Sequence, residues 1–271
     1  MSVSSPTRRV PLERADGHRD DTLVVEEPLE IRVDDRPLAV VMRTPGDDLD
    51  LVAGFLLTEG VIDALDDLAA LSHCTEPLRE NAGNIVIARL AAGTRLDPAR
   101  VDQAARALFS ASSCGLCGKE TIDRVFQRVR PLPPDPRLPS VELLAALPDR
   151  LRAVQPVFDE TGGCHGAALF DAAGTLLVAR EDIGRHNAVD KCLGARLRAG
   201  HTAEDAGLIL VVSGRAGFEV VQKAVMGRVS ALVAVGAAST LAHDLAVSAG
   251  LKLFTFARGG RANVHGGGGG V

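Results

Sequence analysis

Apolar and polar positions along the chain change rhythm several times. Leu23–Val25, Leu29–Val33 and Arg36–Met42 alternate as short strands, with Asp34-Asp35 as a turn between the last two. Pro45-Gly46 breaks the chain. Asp47 or Asp48 then caps a helix whose apolar positions Leu49, Val52, Ala53, Leu56 and Leu57 follow a 3.6-residue period, and Gly60 ends it. A strand over 84–90 and helices over 99–110 and from Ile122 to Val129 complete this part. From Gly163 onward short apolar strands alternate with helices. A hairpin pairs Ala167–Phe170 with Thr175–Arg180, and a helix runs from Asn187 to Leu197. Strands follow at Leu208–Val212, Ala231–Val235 and Leu251–Phe256, separated by helices Phe218–Val229 and Ser239–Ala249. Fully apolar strands between helices predict a mostly parallel sheet covered on both faces. The fold class expected is α/β: a three-layer C-terminal domain preceded by a smaller mixed α+β domain.

Composition sharpens the boundaries. Residues 131–139 (PLPPDPRLP) concentrate the chain's prolines and predict a linker before a helix from Ser140 to Ala153. The expected organisation is residues 1–21 disordered, 22–130 the small domain, 131–139 the linker, 140–265 the α/β domain and 266–271 a glycine tail. Of the 271 residues, 46% are hydrophobic and only 3% aromatic, with no Tyr or Trp, so an aromatic platform for single-stranded nucleic acid is not expected. A net charge of −5 argues against a general phosphate-backbone binder. The N-terminus has no apolar stretch of signal-peptide length, and the longest apolar run, Ala231–Ala238, is far shorter than the ~20 residues of a membrane span. The expectation is a cytoplasmic protein with no membrane and no nucleic-acid partner.

Four stretches carry candidate chemistry. The first is Ser113-Cys114-Gly115-Leu116-Cys117-Gly118-Lys119. Two thiols three positions apart, flanked by glycine and followed by Lys119, favour an exposed thiolate. That thiolate would serve disulfide exchange, a zinc site completed by Cys164 and His165, or a sulfur carrier that holds sulfur as a persulfide. A zinc deaminase would need a Glu two residues after His165, where the chain has Ala167. The second is Arg180-Glu181-Asp182-Ile183-Gly184-Arg185-His186-Asn187, continuing to Asp190-Lys191, at a strand-to-helix edge. It reads either as a ligand edge, with His186 offering a donor, or as an internal salt-bridge and capping cluster. The third, Ser213-Gly214-Arg215-Ala216-Gly217, is a tight turn or a phosphate cradle; it is neither a Walker loop nor a dinucleotide fingerprint. The fourth, Phe256-Ala257-Arg258-Gly259-Gly260-Arg261-Ala262-Asn263-Val264, places two arginines around two glycines after the last strand, suited to an anionic ligand or to a solvated tail. Cys74 and Cys192 read as packing residues.

Together these stretches resemble the FdhD family of sulfur carrier proteins required for formate dehydrogenase activity. The resemblance spans residues 22–265 and is carried by TPGDDLDLVAGFLLTEGVI, SSCGLCGKE, TGGCHGAALFD, REDIGRHNAVDK, SGRAGFEVVQKAV and FARGGRANVH. It implies a sulfurtransferase that takes sulfur from a cysteine desulfurase as a persulfide on Cys114, with Cys117 as its CxxC partner. It further implies delivery to the molybdenum cofactor, bis(molybdopterin guanine dinucleotide), a bound acceptor rather than a permanent prosthetic group, on behalf of formate dehydrogenase. The family's cofactor-binding segment falls on Phe256, Ala257, Arg258, Gly259, Gly260 and Arg261, and Ser213, Arg215 and His186 join it as candidate cofactor-binding residues; no metal ligands are expected. The larger domain of the family resembles cytidine deaminases without their zinc, and homodimers are typical. Two alternatives are a zinc-stabilised binding module that chaperones the apo-dehydrogenase and a nucleotide-binding protein whose CxxC senses redox state.

Overall fold

A computed structural model describes residues 5–14, 17–75, 82–94, 101, 130–133, 135, 137–201 and 207–265. The predicted helix over 99–110 apart from Val101, the predicted helix from Ile122 onward, the CxxC and the glycine tail lie outside the described residues.

The chain opens with an antiparallel ribbon, β1 (Thr7–Arg14) on β2 (Gly17–Val24), closed by a hydrogen bond from the Val25 amide to the Pro6 carbonyl. Over the described residues 7–14 and 17–21 the chain is strand, not the disorder expected from the sequence. Charged and polar side chains interrupt both strands, so they carry little apolar alternation; backbone pairing holds them.

A four-stranded sheet follows in the order β4-β3-β6-β5, from β3 (Glu27–Val33), β4 (Arg36–Arg43), β5 (Leu68–His73) and β6 (Ile85–Leu90). The β3–β4 turn is at Asp34, whose φ of 53° fits the expected Asp-Asp turn. Helix α1 (Asp48–Thr58) buries almost its whole girth, because the sheet covers one side and a helix of the second half covers the other. Asp47 occupies the cap position in a left-handed conformation but makes no side-chain cap hydrogen bond. Its carboxylate lies 3.4 Å from Arg180 instead.

The second half is a six-stranded sheet, β12-β11-β10-β9-β7-β8, built from β7 (His165–Phe170), β8 (Leu176–Asp182), β9 (Ile209–Val212), β10 (Ala231–Ala234), β11 (Lys252–Arg258) and β12 (Arg261–His265). Only the β9–β10 and β10–β11 pairs are parallel; β7–β8, β7–β9 and β11–β12 are antiparallel. The sheet is mixed rather than mostly parallel. The stretch after Phe256 is not a solvated tail. Gly259 and Gly260 have φ of 56° and 72°, two successive left-handed positions that close a tight hairpin.

Side chains of the central strands alternate between two cores. Leu210, Val212 and Leu232 pack under α4 (Arg185–Arg198), α5 (Phe218–Met226) and α6 (Thr240–Ala249). Ile209, Val211 and Val233 pack under α2 (Val141–Arg152) with Leu144, Leu147 and Leu151. This is the expected three-layer arrangement. Ser140 and Ser239 cap α2 and α6 by accepting from the Leu143 and Ala242 amides. A short helix α3 (Pro156–Thr161) leads into β7, its Val157 and Phe158 amides donating to the Glu181 carboxylate.

The proline-rich stretch is pinned to the second half. Leu132 is buried in its core and donates its amide to the Ala249 carbonyl. Asp135 accepts from Ser230 Oγ and the Gly207 amide. Partial burial opposes ionisation there, but hydrogen bonds from Ser230, Arg137 and Gly207 win and bring the carboxyl down to about 2.

Candidate functional site

Ligands of open α/β sheets bind beyond the carboxyl ends of the parallel strands. A cleft of about 460 Å³ lies there. Ser213 follows β9, Val235 follows β10, and Ala257 and Arg258 end β11. His165 begins the antiparallel β7 at the same edge, with Cys164 before it. The far wall is the end of α2, then Gln155 and Phe158. Arg152 stacks its guanidinium 4.7 Å from the Phe158 ring.

Among the described residues, the structure brings three of the candidate cofactor-binding positions to this cleft, Ser213, Ala257 and Arg258, beside Cys164 and His165 of the zinc reading. Arg258 is exposed and free to meet a ligand, whereas Ala257 is fully buried beneath it. Phe256 holds a left-handed φ of 53° and leaves its ring half exposed. For a non-glycine residue that conformation is strained, and it accompanies the register shift between Thr255 and Arg258. Gly259 and Gly260 form the turn, and Arg261 faces solvent opposite Arg258 in the strand register, outside the cleft lining.

The Ser213–Gly217 turn is not an open cradle. The Ser213 amide donates to the Gly166 carbonyl, Ser213 Oγ accepts from the Gly166 amide, and the Ala216 amide donates to Ala237. Arg215 is exposed and does not line the cleft. His186 is also set back from the lining, with Nε2 3.8 Å from the Glu219 carboxylate and without a hydrogen-bond partner. Burial first, then the charges of Lys223 and Arg185, bring it down to about 4, so its imidazole is neutral near pH 7. His165 is lowered as well, by burial and then by Arg185.

Most of the second motif is internal framework. Lys191 lies 2.8 Å from Asp182, both fully buried, and also donates to the Thr44 and Glu181 carbonyls. Asp182 accepts from the Thr44 and Gly184 amides and from Asn187. Arg180 reaches α1 at Asp50, 2.9 Å away. The internal-cluster reading holds for these residues.

Cys164 is buried beside Thr44 Oγ1 at 4.0 Å, and burial raises its thiol to about 11. Its thiol is therefore protonated near neutral pH and unsuited to nucleophilic attack. Cys192 donates to the Ala167 carbonyl from the helix's inner face, and Cys74 is buried, both as expected of packing residues. No group of three or more His, Cys, Asp or Glu among the described residues is placed to hold a metal ion. Cys114 and Cys117 lie outside the described residues.

The sequence reading passed over Gln155. It is 2% exposed and lines the cleft, and its Nε2 has no hydrogen-bond partner. A Cβ on Gly166 would lie 2.5 Å from that nitrogen, so glycine makes the room it occupies. Only its place just before a helix-opening Pro156 could have drawn attention to it.

The pattern of the FdhD/NarQ family matches residues 24–269. The chain belongs to the FdhD/NarQ family. Relatives named sulfur carrier protein FdhD include one from Anaeromyxobacter dehalogenans, 48% identical over 90% of this chain and 86% of its own length. Another, from Streptomyces avermitilis, is 49% identical over 92% and 88%. One from Mycobacterium tuberculosis is 46% identical over 91% and 90%. The fold of this FdhD/NarQ member also matches the crystal structure of a putative formate dehydrogenase accessory protein from Desulfotalea psychrophila, with a TM-score of 0.72, 23% identity and 95% of each chain covered. Among the described residues no helix is long and apolar enough to cross a membrane.

Proposed function

We propose that this FdhD/NarQ protein is a sulfurtransferase that carries sulfur as a Cys114 persulfide and hands it to the molybdenum cofactor for formate dehydrogenase. Supporting this reading are the relatives' name, sulfur carrier protein FdhD, and the cleft at the sheet's carboxyl edge. The observation that carries most weight for an anionic, nucleotide-bearing acceptor is the convergence of Arg258, the unpartnered Gln155 amide and a neutral His165 on that cleft. These groups offer positive charge and hydrogen-bond donors without a large basic surface, which suits a net charge of −5.

The chemistry divides into two steps. The Cys114 thiolate attacks the outer sulfur of the desulfurase persulfide; a new S–S bond forms, the old one breaks, and the desulfurase cysteine leaves as a thiolate. At the acceptor, the Cys117 thiolate attacks Cys114 Sγ and expels the terminal sulfur as hydrosulfide toward the cofactor. The Cys114–Cys117 disulfide left behind is reduced by a cellular dithiol. Lys119 and the glycines around the two cysteines support an accessible thiolate. A homodimer in the cytoplasm and a cytidine-deaminase-like second domain belong to the same proposal. In a cell lacking its own carrier, Cys114→Ser should fail to restore formate dehydrogenase activity; restoration to wild-type level would contradict the assignment.

A further inference from the structure

The far wall of the cleft is built on a helix that cannot hold itself. Helix α3 has six residues, none of them buried, and a helix this short is not stable on its own propensity. Gln155, at its N-cap position, makes no side-chain cap hydrogen bond. Yet this segment carries both Gln155 and Phe158 into the cleft lining, and Phe158 is the ring on which Arg152 stacks.

Its hold comes from β8. Glu181 accepts from the Val157 amide on Oε2 at 2.9 Å and from the Phe158 amide on Oε1 at 2.8 Å. Pro156 has no amide hydrogen, so these are the first two donors of the helix, and a first turn leaves them without intrahelical partners. Both bonds are to an ionised acceptor, the stronger class. Across the β7–β8 pair Glu181 lies opposite Gly166, and residues so paired share one face of a sheet. A Cβ on Gly166 would fall 2.5 Å from Gln155 Nε2 and 2.7 Å from its Cδ. One cross-strand pair therefore forms the socket of the wall: the glycine leaves room for Gln155, and the glutamate grips the two amides that follow.

Glu181 itself is not among the residues lining the cleft. We propose that Glu181 is the positioning residue that sets the far wall for the acceptor, a role that rests on reading the cleft as the acceptor site. Its bonds act on the backbone at Val157 and Phe158. Releasing them frees the Phe158 ring, the Arg152 guanidinium stacked on it and the Gln155 amide together. A ligand must then order the segment as it binds, and the cost of that ordering is subtracted from its affinity.

The test uses the full chain. It contains no Trp or Tyr, so Phe158→Trp places a single indole on the wall. In that background Glu181→Ala should shift the indole emission to the red and lower its anisotropy. With Phe158 retained, Glu181→Ala should weaken the binding of guanosine diphosphate about ten-fold by calorimetry. Glu181→Gln should fall between, since one amide oxygen serves only one of the two donors. Ser239→Ala removes a cap from α6, a helix that contributes nothing to the cleft lining, and should move neither signal. Equal effects from Ser239→Ala would make Glu181 a general stabiliser and overturn the proposal, as would unchanged emission in Glu181→Ala. Absence of nucleotide binding by wild type would contradict the cleft reading and this role with it. Binding that Glu181→Ala leaves unchanged would contradict this role alone.

Discussion

Gly54 of α1 and Gly194 of α4 lie against each other: a Cβ on Gly194 would fall 2.5 Å from the Gly54 amide nitrogen and collide with the Asp50 carbonyl. A Cβ on Gly54 would likewise collide with the Asp190 carbonyl. The two helices touch backbone to backbone, and through them the four-stranded sheet is held to the six-stranded one. Either Gly→Ala substitution forces the helices apart, against which the better helix propensity of alanine, about 1 kcal/mol, is small. Gly54→Ala and Gly194→Ala should each lower unfolding stability by about 1–3 kcal/mol in chemical denaturation. An unchanged midpoint would show that the helix contact is loose.

Lys223 of α5 ties the same helix pair together electrostatically. Its ammonium lies 2.9 Å from the Glu59 and Asp190 carboxylates and 2.9 Å from Thr58 Oγ1. Burial opposes its charge, but the two carboxylates outweigh it and hold the lysine well above its ordinary range. Lys223→Met leaves the buried Asp190 carboxylate facing the part-buried Glu59 without a counter-charge and should cost about 3–5 kcal/mol. Adding Asp190→Asn should recover part of that loss in a double-mutant cycle.

His186 predicts a pH dependence. Its pKa falls from about 6.5 in an unfolded chain to about 4 in the fold, so between those values the unfolded chain binds the extra proton. The stability linked to neutral His186 is fully present above pH ~6.5 and is lost as the pH falls toward ~4. His186→Gln removes this contribution, so the stability difference between wild type and variant should shift between pH 7 and pH 5. A constant difference across that range would place His186 in a solvated setting.

Arg258 should matter for acceptor binding and not for sulfur loading. Arg258→Ala removes a charged donor from the cleft and should weaken binding of a guanine nucleotide by about ten-fold or more. Persulfide formation on the chain should be untouched. If loading fell with binding unchanged, the cleft would not be the acceptor site.

Much of the fold was legible because the helices are capped and the strands bounded. Ser140, Ser239, Asp34 and the turn before Thr175 all mark boundaries that the structure keeps. The β1–β2 ribbon and β12 were not legible. The first carries scattered charged residues with no regular apolar alternation, and the second follows a glycine pair that reads equally as a flexible tail. The Gly54–Gly194 contact was present as isolated glycines inside helical patterns, but a close backbone approach shows only when both helices are placed. At the site, Ser213 and Arg258 stood out because they follow apolar strands. Arg215, Arg261 and His186 share that signal, yet none of them lines the cleft, and His186 sits beside Glu219 instead. Gln155 has no local signature beyond its place before Pro156, since its role comes from the room left by Gly166 in a different element.

The most direct test of the sulfur-carrier account is the intact mass of the chain after incubation with a cysteine desulfurase and cysteine, for wild type, Cys114→Ser and Cys117→Ser. The account predicts the mass of at least one added sulfur on wild type and on Cys117→Ser, removable by dithiol, and none on Cys114→Ser. Equal sulfur loading of Cys114→Ser and wild type would contradict it.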